Sequence, residues 1–261
     1  MREVFKYTFT TIAEWKKLLL VILTVSILTV IEAFPVISIV AFLFEKLIYL
    51  SIGAFLIFLV TRSKDIESYF DNLKRNSFST FLFHFIPTAS GILVALLIIL
   101  TFWIMFFVLI LQFTNTMYII ADPHQIIVSV ENSPVLTQIL LGFYSIYLMF
   151  YSYVFLGKFG EALSQETFRG AFLSMISSLI DFKYWINTFN LKYFVIYLVW
   201  SIIISVIYTL IGFTYLFVIF PAIVNNPNLG LIIIPILVGI TTILTYYTFF
   251  SAYFAHLSTE A

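Results

Sequence analysis

Long apolar runs alternate with short polar stretches along this chain, and the run lengths set the first expectation. Six segments hold the roughly 20 mostly apolar residues that a helix needs to cross a bilayer. They are Trp15 to Phe34, Val36 to Val60, Ser90 to Phe113, Ile139 to Gly157, Tyr193 to Phe220, and Leu231 to His256. Three polar stretches between or before them carry apolar residues at helical spacing: Phe5, Phe9 and Ile12; Ile66, Phe70 and Leu73; Phe168, Phe172, Met175 and Leu179. Such stripes predict amphipathic helices lying on the membrane surface. An amphipathic helix followed by two spans recurs in residues 1–60, 61–157 and 158–261, as a repeat of pattern with little identity of residues.

Charge gives this arrangement a direction. Arg2, Lys6, Lys16 and Lys17 precede or open the first run; Arg62, Lys64, Lys74 and Arg75 separate the second from the third; Lys158, Arg169, Lys183 and Lys192 separate the fourth from the fifth. The other connections, around Glu32 to Pro35, Thr114 to Gln138 and Ala222 to Gly230, hold no Lys or Arg. Twelve of the 13 bases thus share one side, with Lys16 and Lys17 at the very start of the first run, and Lys46 alone lies in the interior of one. By the positive-inside rule that side is cytoplasmic, with both termini on it. The expected fold is an all-α integral membrane protein: about six transmembrane helices as three hairpins, with amphipathic interfacial helices on the cytoplasmic side. One polytopic domain over residues 1–261 sits in the inner (cytoplasmic) membrane.

Composition agrees with that picture. Hydrophobic residues make up 62% of the chain and charged residues 10%, with a mean hydropathy of +1.09, whereas soluble domains carry about 25% charged residues. The lipid bilayer is the expected partner. The formal net charge is zero, so no overall field recruits nucleic acid. There is no Cys, which removes disulfides, thiolate metal sites, Fe–S clusters and cysteine nucleophiles. Glu3 and Glu14 stand among the N-terminal bases and no small-residue cleavage motif follows the first apolar run, so Leu18 onward is read as a retained span. Most prolines fall at span ends or in connections; Pro235, early in the last run, predicts a kink. In the longest base-free connection, Asp122-Pro123 and Ser133-Pro134 flank the β-prone run Ile126 to Val130, which predicts a small external cap.

The run Val36 to Val60 contains Glu45 and Lys46. Each ionised side chain at a span centre costs about 2.5 to 3.5 kcal/mol, which the run's Val, Ile, Leu and Phe residues roughly offset. Adjacent helical residues point about 100° apart, so a good ion pair between the two is not expected. One reading turns Glu45 into the bundle interior, where a carboxylate binds a cation, relays a proton or holds a polar substrate group. The other tilts the segment so that Lys46 snorkels to the inner headgroups while Glu45 is protonated or paired. Gly53 permits a bend after which Leu47 to Val60 lies shallowly, shortening the second span.

Other candidates are fewer. His84, His124 and His256 are the only imidazoles, and no HExxH helix, G-x-S-x-G elbow or phosphate-binding glycine loop occurs, so no metal or cofactor is expected. Tyr144, Tyr147 and Tyr151 share one face of the fourth run, and Tyr246, Phe250 and Tyr253 one face of the sixth. Such stripes either line a pathway for a lipid or apolar solute or pack between helices. GKFGEALSQETFRG, Gly157 to Gly170, reads as a solvated elbow or as a docking surface for a soluble partner. No GxxxG occurs in any span, which leaves the oligomeric state open.

Three stretches resemble a family of prokaryotic polytopic membrane proteins known as a domain of unknown function, numbered 4013: FPVISIVAFLFEKLIYLSIG, GKFGEALSQETFRGAF followed by FKYWINTFNLKYF, and FFSAYFAHLSTEA. They are scattered over most of the chain, which departs from the family at Phe42 and Leu43, where small residues are expected. The resemblance implies an all-helical integral membrane protein of unassigned activity and carries over no catalytic residue.

The leading functional expectation is a non-enzymatic, permease-like protein or transport-complex subunit handling a small solute, ion or lipid. Glu45 and Lys46 would lie beside the pathway, with Tyr144, Tyr147, Tyr151 and Tyr246 as lining. The alternative is a membrane scaffold whose basic surface helices dock a protein partner or anionic lipid at the cytoplasmic face. A third reading is an intramembrane enzyme acting on lipid, with His84 or His256 as base beside a carboxylate.

Overall fold

The computed structural model describes residues 1–32, 34–35, 37–116, 133–219, 221 and 226–260. The expected cap at Ile126 to Val130, with Asp122 and His124, lies outside the described residues. Among the described residues the chain forms helices and no strand. In chain order they are α1 (Arg2–Ala13), α2 (Trp15–Glu32), α3 (Ser38–Arg62), α4 (Ile66–Arg75), α5 (Phe78–Phe113), α6 (Val135–Leu163), α7 (Phe168–Ser177), α8 (Phe182–Asn187), α9 (Leu191–Thr214) and α10 (Gly230–Glu260). A π-helical turn, Tyr215–Ile219, continues α9.

Five helical segments are long and apolar enough to cross a membrane: Ser38–Arg62, Leu82–Phe113, Val135–Leu163, Leu191–Ile219 and Gly230–Glu260. The first expected span forms α2, an 18-residue helix. Lys16, Lys17 and Glu32 at its ends leave it a shorter apolar stretch than the others.

Contacts fix how the long helices run past one another. Thr88 donates to the Gln165 carbonyl at 2.9 Å and Tyr144 to the Trp103 carbonyl at 3.1 Å, so α5 and α6 are antiparallel. Asn190 reaches the Ser258 carbonyl at 3.1 Å and Trp200 the Thr248 hydroxyl at 3.0 Å, so α9 and α10 are antiparallel too. Tyr49 meets Thr242 and Gly53 faces Phe249, which makes α3 and α10 parallel. The short helices gather at the end that carries the bases: α1 packs on α4 and α10, and α7 on α5 and α6.

Polar capping is concentrated there. Asp65 caps α4 in a reciprocal box with Ser68, Thr167 caps α7, Asp181 caps α8 and Asn190 caps α9. Lys17 donates to the Asn76 carbonyl at 2.7 Å and to that of Leu73, neutralising the last turn of α4.

Packing is denser at this basic end. Every α3 residue from Leu50 to Val60 except Phe58 is buried, whereas Ile39, Val40, Phe42 and Phe44 are exposed. In α6 every residue from Val154 to Leu163 except Phe155 and Glu161 is buried, with Phe143, Ile146 and Met149 exposed; α10 changes likewise between Ile236 and Tyr246. The far end is therefore more exposed, apart from a cluster of Ile110, Leu111 and Leu141 that joins α5 to α6 there.

Several expectations are corrected. α3 runs unbroken through Gly53, whose missing side chain instead admits the Phe249 ring; an added Cβ would lie 2.9 Å from it. Gly157 and Gly160 do not make an elbow, because α6 continues to Leu163. A Cβ on Gly160 would collide with the Ala252 carbonyl, so this glycine brings the backbones of α6 and α10 together. α5 starts well before Ser90 and contains Pro87. In α1 the buried face is Val4, Tyr7, Thr8 and Thr11, with Phe5 packed beside it against Tyr247 and Phe9 exposed. Its threonines bond back to the Val4 and Tyr7 carbonyls, at 2.8 and 2.7 Å, which lets them be buried while Phe9 points outward.

Candidate functional site

Glu45 is the eighth residue of α3, about 10 Å along the axis from the helix start at the far end. Lys46 Nζ lies 2.6 Å from Glu45 Oε1. The expectation that the two do not pair is therefore corrected: the four-carbon lysine stem curls back, with its ammonium 4.8 Å from the centre of the Phe42 ring. Pairing offsets part of the cost of two separate charges in an apolar run. The pair also lies nearer the far end, so Lys46 does not snorkel toward the basic end.

A second carboxyl joins them. Glu32, the last residue of α2, approaches Glu45 within hydrogen-bonding reach, and its own Oε1 is buried without a partner. Beside this group lies a cavity of about 330 Å³ between α3, α5, α9 and α10, lined by Glu45, Lys46, Tyr49, Tyr208, Thr241 and Thr245 together with apolar residues. One acid, one base, two phenols and two hydroxyls thus surround a small space, with the second acid, Glu32, close to Glu45. Such a site can hold a polar or cationic group, or pass a proton, at a depth where lipid offers neither.

The tyrosines divide. Tyr246 lies near Tyr49 and is enclosed in the core. Tyr144, Tyr147 and Tyr151 do not line the Glu45 cavity; their hydroxyls bond the Trp103 carbonyl at 3.1 Å, the Leu179 carbonyl at 3.1 Å and Ser178 Oγ at 2.9 Å. Tyr147 and Tyr151 tie α6 to the segment around α7, and their rings pack at a tilt against Trp103. This stripe packs helices together.

The basic end holds a polar cluster that the chain's spacing did not reveal. Lys158, expected in a solvated elbow, is 3% exposed. Its ammonium lies 2.8 Å from Glu161 and 2.9 Å from Asp181, and 4.1 Å from the centre of the Tyr184 ring. Burial pushes the Asp181 carboxyl up, but the Lys158 hydrogen bond, the Tyr184 amide and the nearby lysine charges outweigh it and hold the group below the usual carboxylate range. Burial, against a bond to Thr259, pushes the Tyr184 phenol well up. His256 reaches Glu260 at 3.5 Å and the Tyr184 hydroxyl at 3.4 Å. Lys158, Glu161, Tyr184, His256, Thr259 and Glu260 line a cavity of about 840 Å³. His84 meets the Phe85 ring edge-on. Among the described residues no three His, Asp or Glu side chains converge as metal ligands.

The residues missed by sequence reasoning were hidden for different reasons. Tyr49 follows Glu45 by four and so shares its helix face, a signal present in the sequence. Glu32 sits in a connection when read linearly, and Asp181 reaches Lys158 from another helix; neither had a local signature. No family model, curated protein or solved structure matches this chain.

Proposed function

We propose that this chain is a permease-like integral membrane protein, or a subunit of a transport complex, with α2 as a sixth span. The spans form three hairpins, and α1, α4, α7, α8 and both termini face the cytoplasm across the inner membrane of a prokaryotic cell. Support for the orientation comes from the bases and polar caps concentrated at one end. The function is a non-enzymatic passage of a small solute or ion past the Glu45–Lys46 pair, in keeping with the resemblance to the uncharacterised membrane family. One observation carries the reading: an ion pair and a second carboxyl, Glu32, beside a cavity of about 330 Å³ in the lipid-exposed half. A plain structural pair has no need of that space. Flux of ions and small solutes into liposomes holding the purified protein, compared between wild type and Glu45→Gln, is the test. Flux that depends on Glu45 supports the reading, and wild-type flux unaffected by the change removes Glu45 from the pathway.

A scaffold reading is favoured by Lys74 and Arg75, both exposed in the last turn of α4. Charge reversal at these two positions should strip a stoichiometric partner from protein captured out of native membranes. Retention of the same partner set argues against docking there.

A further inference from the structure

The cavity of about 840 Å³ at the basic end is built around an imbalance of charge. Lys158 lies in its floor, 3% exposed, and two carboxylates share the ammonium, Glu161 at 2.8 Å and Asp181 at 2.9 Å. Both acids are anchored through their other oxygens: Ser174 donates to Glu161 Oε1 at 3.0 Å and the Tyr184 amide to Asp181 Oδ1 at 3.0 Å. A lysine ammonium has three donors and no acceptor. With two carboxylates against it and the Tyr184 ring centre 4.1 Å away, Lys158 has little attraction left for an incoming anion. One positive charge against two negative ones leaves the floor with negative charge in excess, in a partly enclosed place where uncompensated charge is costly.

A second negative position stands at the rim. Glu260, in the last turn of α10, has a side chain 63% exposed, and its Oε1 lies 3.5 Å from His256 Nε2. His256 Nδ1 lies 3.4 Å from the Tyr184 hydroxyl. Both separations exceed those of a well-formed bond, about 2.7–3.2 Å, so an imidazole only 8% exposed is held loosely in the cavity wall. The contacts run in the order Lys158, Tyr184, His256, Glu260, so a phenol and an imidazole separate the two negative positions. Thr61, Ser164, Gln165, Asn187 and Thr259 complete the wall with neutral hydrogen-bonding groups. Among the described residues Lys158 is the one Lys or Arg in the lining; Lys183 is exposed outside it, and Arg62 lies 4.0 Å from Glu166.

We propose that this cavity binds a short aliphatic diamine, with one ammonium beside Glu161 in the floor and the other at Glu260. Its volume falls in the range of about 300–1,000 Å³ usual for small-molecule sites. Two separated negative positions with neutral polar groups between them suit a ligand charged at both ends, and a single amine leaves one position bare. A metal ion fits less well. Among the described residues no three His, Asp or Glu side chains converge, whereas hard cations gather six or more oxygens. The inference goes beyond the permease reading and does not depend on it, because binding here is measured without flux and at the opposite end from Glu45.

Isothermal titration calorimetry on the purified protein in detergent, with 1,4-diaminobutane as the probe, tests the proposal. The diamine should fill a single saturable site, 1-aminobutane should bind on the order of tenfold more weakly, and 1,4-butanediol and succinate should give no saturable heat. Glu260→Gln changes an exposed side chain at a helix end, so the fold is not at stake; it should weaken the diamine about tenfold and leave 1-aminobutane and the diamine nearly level. Glu166→Gln, which removes a comparably exposed carboxylate outside the cavity lining, should change nothing. No saturable heat from 1,4-diaminobutane, succinate binding as tightly as the diamine, or a Glu260→Gln variant that binds the diamine like wild type would each overturn the proposal.

Discussion

The two ends of the helical bundle hold together on different terms. At the basic end α3 is enclosed, α6 and α10 meet backbone to backbone at Gly160 and Ala252, and Lys158 is clamped between Glu161 and Asp181. At the far end the same helices expose Ile39, Phe143 and Ile232, and a carboxyl oxygen of Glu32 lacks a partner. Average hydropathy does not explain the contrast, since both halves are greasy. Lipid tails are as apolar as leucine, so helices in a membrane associate through close packing and polar contacts rather than by escaping water. The small residues that permit close packing, Gly53, Gly157, Gly160, Ala162, Ala252 and Ala255, fall in the basic half. Close packing and the Glu45 cavity are thereby segregated along the helix axes.

The severest way to break this contrast is Gly160→Leu. Even the first carbon of the new side chain strikes the Ala252 carbonyl, which goes beyond the ~1–3 kcal/mol of ordinary overpacking. The variant should fail to give a monodisperse peak in detergent by size-exclusion chromatography. Leu56→Ala, at a fully enclosed position in the basic half of α3, should lower stability by about 2–5 kcal/mol in reversible unfolding.

A smaller effect belongs to Asp181. A carboxyl whose folded pKa is depressed contributes stability above its ordinary pKa, near ~3.9, and that contribution vanishes as pH falls through the folded value. Wild type should therefore lose thermal stability in acid below about pH 4, and Asp181→Asn should show a flatter profile over that window. Last comes Ile39→Ala in the far half, 72% exposed, which should stay within about 0.5 kcal/mol of wild type. A loss there as large as that for Leu56→Ala would mean the far end is packed against something and the contrast is false.

Much of the architecture was legible in run lengths. Val36 to Val60 became Ser38–Arg62, and Leu231 to His256 became Gly230–Glu260. The third span begins well before the expected Ser90 because the helix ahead of Pro87 is secured by packing: Phe85 is buried against Phe55 and Phe58, which outweighs the lost backbone bond. The face of α1 misled because threonines hide their hydroxyls against the preceding turn and so enter a core that hydrophobicity alone denies them. At the site, Glu45 announced itself as a charge within an apolar run. Its pairing with Lys46 depends on a bend in a flexible stem, and its approach to Glu32 on where two helices cross, and neither is written in local spacing.

Where α6 meets α10 at Gly160, no side chain separates the two backbones, since even a Cβ there would strike the Ala252 carbonyl. The contact therefore sets the distance between the two helices at the basic end, and every side chain between them must fit the gap that it leaves.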